Sequence, residues 1–160
     1  MNNFIYLMLL PVVLGARMSI EGRNRLSIGH GKSYTFHSTP TTFDEAKSIC
    51  KQEGGSLAVV TSKFEEDKML KLWARSSPVL NASHGFNHQA FIGIHSLNEE
   101  GHWETINGNS PSYVNWSPNW TGNQQPDNSS KQKCGSLLKQ GGMDDIECHL
   151  KIAFFCEKLK

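Results

Sequence analysis

Four cysteines constrain the fold of this chain more than any other feature. They form an even set, Cys50, Cys134, Cys148 and Cys156, and three of them lie in the last 27 of the 160 residues. An even number of cysteines in an exported chain favours two disulfide bonds, and four cysteines allow three pairings. No C-x2-4-C spacing of the kind found in structural zinc sites is present, so a metal cage is disfavoured.

The N-terminal segment predicts export. Residues 4–14 form an apolar run with no charged side chain, followed by the small residues Gly15 and Ala16. Such a run is too short to span a bilayer and is typical of a secretory signal peptide. We therefore expect a signal peptide at 1–16, a polar N-terminal extension at 17–32 and one folded domain at 33–160. The expected localisation is secreted and extracellular, without a membrane anchor.

Charge and motif content disfavour nucleic-acid binding and catalysis. Sixteen Lys and Arg against fifteen Asp and Glu give a net charge of +1, far from the basic field that phosphate neutralisation requires. The segment ending in Gly31-Lys32-Ser33 lacks the first glycine of a phosphate-binding loop, since position 26 is Leu26. No set of nucleophile, base and orienting residue is identifiable. We expect a protein that is not an enzyme and has no nucleic-acid partner.

Residue patterning predicts the order β-α-β-α, followed by strands and one long loop. Capping boxes at Thr42-x-x-Glu45 and Ser62-x-x-Glu65 predict two helices, which end at Gly54-Gly55 and before Pro78. Short apolar or alternating runs predict strands at 33–37, 57–60, 90–94, 102–106, 135–138 and 152–155, the first ended by Pro40. The polar segment 107–130 is too long for a plain connection and is typical of a functional loop.

Three short motifs resemble those of one family. Phe91-Ile92-Gly93-Ile94 resembles the W-I-G-L strand of C-type lectin domains, Gln125-Pro126-Asp127 their Q-P-D motif, and Met143-Asp144-Asp145 their W-N-D motif. The resemblance covers about 33–157 and is closest in texture to insect hemolymph lipopolysaccharide-binding lectins. It implies an α+β fold with two helices on small antiparallel sheets and a long calcium-binding loop. It also implies the disulfides Cys50–Cys156 and Cys134–Cys148.

The resemblance further implies a Ca²⁺ cofactor. The implied metal ligands are five oxygen-bearing side chains, Gln125, Asp127, Gln132, Asp144 and Asp145. Such hard oxygen ligands suit Ca²⁺, although composition alone is more typical of a solvated polar loop. The family usually carries Glu at the position of Gln132 and Asn at that of Asp144, so the two changes offset each other in charge. Met143 replaces a Trp without removing a ligand.

Four of these residues are also the implied carbohydrate ligands, namely Gln125, Asp127, Gln132 and Asp144. The Q-P-D motif by itself suggests galactose. Here both pairs of ligands exchange donor and acceptor relative to the family's E-P-N lectins, which restores their approximate symmetry. The sequence therefore predicts that mannose or N-acetylglucosamine competes at least as well as galactose.

The leading hypothesis is a secreted, calcium-dependent carbohydrate-binding protein that recognises microbial or cell-surface glycans in innate immunity. The alternative is a lectin-like domain with a protein target, acting as a venom or immune-modulating factor without binding sugar. No heptad repeat predicts a coiled-coil stalk.

The sequence also contains candidate N-glycosylation sites and tryptophans that could stack on a sugar. Candidate N-glycosylation sites, each opening an N-x-S/T sequon, are Asn81, Asn115, Asn119 and Asn128. Pro118, directly after the sequon, makes Asn115 a poor acceptor, and a glycan on Asn128 would stand beside Asp127. Trp103, Trp116 and Trp120 are more typical of packing than of sugar stacking, and only Trp120 lies near the Q-P-D motif.

Overall fold

The computed structural model describes residues 31–99, 101–127 and 130–160. The predicted signal peptide at 1–16, nearly all of the predicted extension at 17–32, and Asn128 lie outside these ranges. The described residues form two helices and seven strands: β1 (Lys32–Thr41), α1 (Phe43–Gln52), β2 (Ser56–Leu57), α2 (Lys63–Ala74), β3 (Gln89–His95), β4 (Glu104–Thr105), β5 (Cys134–Leu138), β6 (Met143–Ile146) and β7 (Ile152–Leu159).

The strands form one sheet. Its order is β1-β7-β3-β5-β6, with β2 added on β7 and β4 on β3. The β3–β7 pair is parallel and the other pairs are antiparallel, so the sheet is mixed rather than a set of small antiparallel sheets. Neighbouring residues of a strand point to opposite faces, which places Phe91 and Ile92 in two different core clusters. The central strand β3 is consequently buried on both faces.

Each helix covers one of these clusters. Phe43 and Ala46 of α1 pack with Phe91, whereas Met69 and Trp73 of α2 pack with Ile92. Both predicted helix starts are confirmed, since Thr42 and Ser62 accept hydrogen bonds from the backbone N–H three residues later. Neither helix of the described residues has the length and apolar character needed to cross a bilayer.

Strand β1 differs from its prediction. It continues through Pro40 to Thr41, so the expected end at Pro40 is wrong. The reason is that, among the described residues, β1 is an edge strand that pairs with β7 alone, and its register shifts between His37 and Thr41. Pro40 therefore lies where no ladder hydrogen bond requires its missing N–H.

Two other strands are shorter than predicted. Only 56–57 and 104–105 form ladders, where the patterns predict strands over 57–60 and 102–106. Ala58 is still buried and bonded, because its N–H donates to the carbonyl of Phe155 and its own carbonyl accepts from Gly93. Residues 58–60 therefore lie outside the ladder but remain buried.

The two predicted disulfides are present. Cys50 of α1 is joined to Cys156 of β7, and Cys134 at the start of β5 is joined to Cys148. The first bridge spans 106 residues and ties α1 to the sheet, whereas the second spans 14 residues and closes the β5–β6 hairpin and the turn after it. All four cysteines are thereby paired.

Candidate functional site

A cavity of about 290 Å³ lies where the long loop meets β3 and β6. Four of the five predicted metal ligands line it: Gln125, Asp127, Gln132 and Asp144. The fifth, Asp145, follows Asp144 on β6 and is fully buried. The lining also includes the aromatic residues Phe86 and Trp120. The structure thus brings residues from two separate motifs to one place.

The Q-P-D segment is fastened to β6 through one backbone group. The N–H of Asp127 donates to Oε1 of Gln125 at 3.1 Å and to Oδ1 of Asp145 at 3.0 Å. Gln125 is only 4% exposed, and its own N–H donates to the carbonyl of Ser117. The Gln125–Pro126 peptide bond is cis. Gln125 and Asp145 therefore present oxygens to a common point.

The carboxyl group of Asp144 has a strongly perturbed pKa. Burial, aided by the negative charges of Asp145 and Asp127, raises its pKa to about 7, although a hydrogen bond from Gln89 opposes the shift. That bond runs from Nε2 of Gln89 to Oδ2 of Asp144. Near neutral pH, both the protonated and the ionised forms of Asp144 are therefore populated, and a neighbouring cation would favour the ionised form.

The donor chemistry of these residues fits Ca²⁺. Three carboxylates and two amide oxygens are hard ligands, and Ca²⁺ accepts six to eight oxygens in flexible geometry. Across 31–99, 101–127 and 130–160, the one group of three His, Cys, Asp or Glu ligand atoms within 4.8 Å of one another is that of His37, Glu53 and Cys156, whose sulfur is in a disulfide. The carboxylates of Asp127, Asp144 and Asp145 do not form such a group.

Glu66 anchors the long loop. This α2 residue is 0% exposed, and its carboxylate accepts hydrogen bonds from Oη of Tyr113 at 2.7 Å, Nδ2 of Asn115 at 3.0 Å and the N–H of Gly142 at 3.1 Å. Burial alone would raise the pKa of Glu66, but these hydrogen bonds and the charge of Lys63 lower it. The sequence indicates Glu66 only as a residue near the start of a helix.

Gln89 is a second residue that sequence reasoning misses. It is 2% exposed at the start of β3 and lines the cavity beside Asp144. The one available signal is a polar residue before the apolar run 90–94, and that position does not by itself suggest contact with Asp144.

The tryptophans and the sequon asparagines singled out in the sequence lie in different environments. Trp103 and Trp116 pack against each other with ring centroids 4.8 Å apart, whereas Trp120 lines the cavity. Asn81 and Asn119 are exposed. Nδ2 of Asn115 is the atom that a glycan would occupy, and it donates to Glu66. Glycosylation of Asn115 would break this buried bond, so the geometry disfavours it.

The chain belongs to the C-type lectin domain family: residues 39–158 match the model of the Lectin C-type domain. It is 39% identical over 125 residues to the hemolymph lipopolysaccharide-binding protein of Periplaneta americana, covering 78% of this chain and 48% of that protein. It is also 26% identical over 144 residues to the C-type isolectin Sp-CL4 of Scorpaena plumieri, covering 88% of this chain and 90% of that relative. The chain thus spans about half the length of the cockroach protein.

Solved structures confirm the predicted C-type lectin fold. The carbohydrate-recognition domain of the mouse scavenger receptor C-type lectin superposes with a TM-score of 0.66 at 25% identity, covering 81% of this chain and 89% of that domain. A calcium-independent type II antifreeze protein superposes with a TM-score of 0.64 at 22% identity, covering 81% of this chain and 88% of that protein. The second likeness concerns the fold alone.

Proposed function

We propose that this domain is a secreted carbohydrate-binding module whose ligand is held through Ca²⁺. The observation that carries the proposal is the bond between Asp127 N–H and the oxygens of Gln125 and Asp145, which unites the Q-P-D loop with β6 at one cavity. Membership of the C-type lectin family and the name of the lipopolysaccharide-binding relative support a glycan as the ligand. Recognition of microbial or cell-surface glycans in innate immunity would follow.

The ion would be held by Gln125, Asp127, Gln132, Asp144 and Asp145. When bound, Ca²⁺ supplies coordination sites for two adjacent sugar hydroxyls. The protein side chains orient those hydroxyls, because ionised Asp127 and Asp144 only accept hydrogen bonds whereas the amide nitrogens of Gln125 and Gln132 only donate. Phe86 and Trp120, which also line the cavity, would offer apolar surface to the face of a sugar ring.

The arrangement of donors and acceptors favours equatorial vicinal diols. With one amide and one carboxylate in each pair, Gln125 with Asp127 and Gln132 with Asp144, both hydroxyls meet the same combination. We expect mannose and N-acetylglucosamine to compete at least as well as galactose on a glycan array. The double variant Gln132→Glu with Asp144→Asn should shift the preference toward galactose. Wild-type binding to galactose alone, unchanged in the double variant, would contradict this assignment.

Thermal unfolding with and without millimolar Ca²⁺ tests the site itself. A ligand that binds only the native state raises Tm, so Ca²⁺ should raise the Tm of the wild-type domain. Asp145→Asn keeps the volume of this buried side chain but removes its charge, and should abolish the rise. The half-exposed residue Asp67 on α2, which is not one of the proposed ligands, provides the control, because Asp67→Asn should leave the rise intact. Equal melting curves in Ca²⁺ and EDTA would refute the calcium site.

The same preparation separates the rival function. A lectin-like domain with a protein target would still bind that target in EDTA and in the presence of competing sugars. If instead both EDTA and competing sugars abolish binding to the target, the carbohydrate-binding function is supported.

A further inference from the structure

The side chain of Gln89 is almost completely buried, yet only half of its amide is hydrogen-bonded. Its Nε2 donates to Oδ2 of Asp144, while its Oε1 has no hydrogen-bond partner among the described residues. A buried acceptor without a partner destabilises a folded protein relative to an apolar side chain of the same shape. Gln89 is therefore a poor choice for stability alone, since Met or Leu would pack there without an unsatisfied oxygen.

The Gln89 amide supplies a hydrogen-bond donor to the carboxylate of Asp144. An ionised aspartate has only acceptors, and Asp144 lies in a crowded negative environment with Asp145 and Asp127. Ser136, the residue opposite Asp144 on β5, directs its hydroxyl to the backbone carbonyl of Asp144 rather than to the carboxylate. The carboxylate of Asp144 also accepts a backbone hydrogen bond from Asp145, and the Gln89 amide is the side-chain contact on Oδ2, an oxygen inside the cavity region that Gln89 and Asp144 both line.

We propose that Gln89 is a positioning residue of the candidate calcium site: its amide N–H holds Asp144 in a ligating orientation, and the unsatisfied amide oxygen lowers the stability of the fold in return. The inference rests on the proposed function, because it assigns Gln89 a role toward the same ion. It extends the site beyond the two sequence motifs to the start of β3.

Gln89→Met tests this by separating stability from binding. Met has a similar length and no polar amide, so the calcium-free variant should unfold at the same or a higher urea concentration than wild type. Its Ca²⁺ affinity, measured by calorimetry at pH 7.5, should fall about tenfold or more, as for loss of an outer-shell contact to a metal ligand. Gln124→Met is the matched control, because Gln124 is exposed next to the Q-P-D motif and should change neither quantity.

A double-mutant cycle identifies Asp144 as the partner. In an Asp144→Asn background the side chain at 144 carries its own amide, so adding Gln89→Met should cost much less affinity than it does in the wild-type background. Equal losses in both backgrounds would overturn the positioning role.

The remaining outcomes also decide the question. If Gln89→Met fails to fold, or unfolds at lower urea with unchanged Ca²⁺ affinity, then Gln89 has a structural role. That result would overturn the positioning role of Gln89 but not the proposed function. A wild-type protein that binds no Ca²⁺ would overturn both this inference and the proposed function.

Discussion

Adjacent Asp144 and Asp145 on β6 add negative charge at the cavity, whose lining also contains Asp127 and Glu147. The raised pKa of Asp144 means that its protonated form is favoured in the calcium-free fold relative to the unfolded chain. Its contribution to stability is therefore greatest below the unfolded pKa of about 4 and is lost as pH rises toward 7. A bound cation would reverse this dependence, because it interacts favourably only with the ionised carboxylate.

Calcium affinity should therefore depend on pH around neutrality. Below pH 7 a proton competes with the cation for Asp144, so we expect the affinity to fall by up to about tenfold per pH unit. Calorimetric titrations at pH 8, 7 and 6 measure this dependence. Asp144→Asn should bind more weakly at pH 8 but show a flatter profile between pH 8 and 6. A wild-type affinity that is the same at pH 8 and pH 6 would argue against Asp144 as a ligand.

At the scale of elements, the buried carboxylate of Glu66 joins α2 to the long loop. Glu66 receives its hydrogen bonds from the loop and from the β5–β6 turn, and the loop in turn carries the Q-P-D segment. Because the folded pKa of Glu66 is lowered, its contribution to stability is present above about pH 4.5 and is lost as pH falls through the folded pKa.

Glu66→Ala should destabilise the domain by about 3 to 5 kcal/mol, because it leaves one buried and two part-buried donors without their acceptor. Urea denaturation at pH 7 measures the change. Asp67→Ala, next to it on the same helix, removes only an exposed ion pair with Lys63 and should cost less than about 1 kcal/mol. Equal effects of the two substitutions would contradict the anchoring role of Glu66.

Strand β3 passes closely over the segment after α1. A Cβ on Gly93 would lie 2.7 Å from the carbonyl oxygen of Leu57 and 2.9 Å from Cγ2 of Val59. Gly93→Ala should therefore cost about 2 to 3 kcal/mol by overpacking. At Gly85 a Cβ meets nothing within 4 Å, but φ is +75°, so Gly85→Ala should cost about 1 kcal/mol from backbone strain alone. Denaturation midpoints of the two variants test the order.

At the scale of the whole molecule, the two disulfides restrain very different lengths of chain. By loop entropy, Cys50–Cys156 contributes about 4.7 kcal/mol and Cys134–Cys148 about 3 kcal/mol. Replacing each pair by alanines should lower the free energy of unfolding in that order. The short bridge also borders the cavity, since Glu147 beside Cys148 is part of its lining. Its loss should weaken Ca²⁺ binding more, which calorimetry on the two variants measures.

Local chemistry made much of this fold predictable. Both helix starts follow from an N-cap side chain that accepts from the backbone N–H three residues later; the full capping box forms at Thr42, whereas the Glu65 side chain bonds Thr61 rather than Ser62. The Gln125-Pro126-Asp127 and Met143-Asp144-Asp145 motifs are short contiguous segments that the sequence displays directly. The long loop is also predictable, because the described residues of 107–127 lack any periodic pattern and form only isolated bridges. Each of these features depends on residues that are neighbours in the chain.

Only the tertiary structure decided the rest. Pro40 lies within a strand because β1 is an edge strand of the described sheet. The parallel pairing of β3 with β7 joins strands that are far apart in the chain, so no local pattern displays it. Glu66 meets Asn115 across 49 residues, and Gln89 meets Asp144 across 55. A residue's type predicts its conformation through its neighbours in sequence, but burial and hydrogen-bond partners are set by segments that only the folded chain brings into contact.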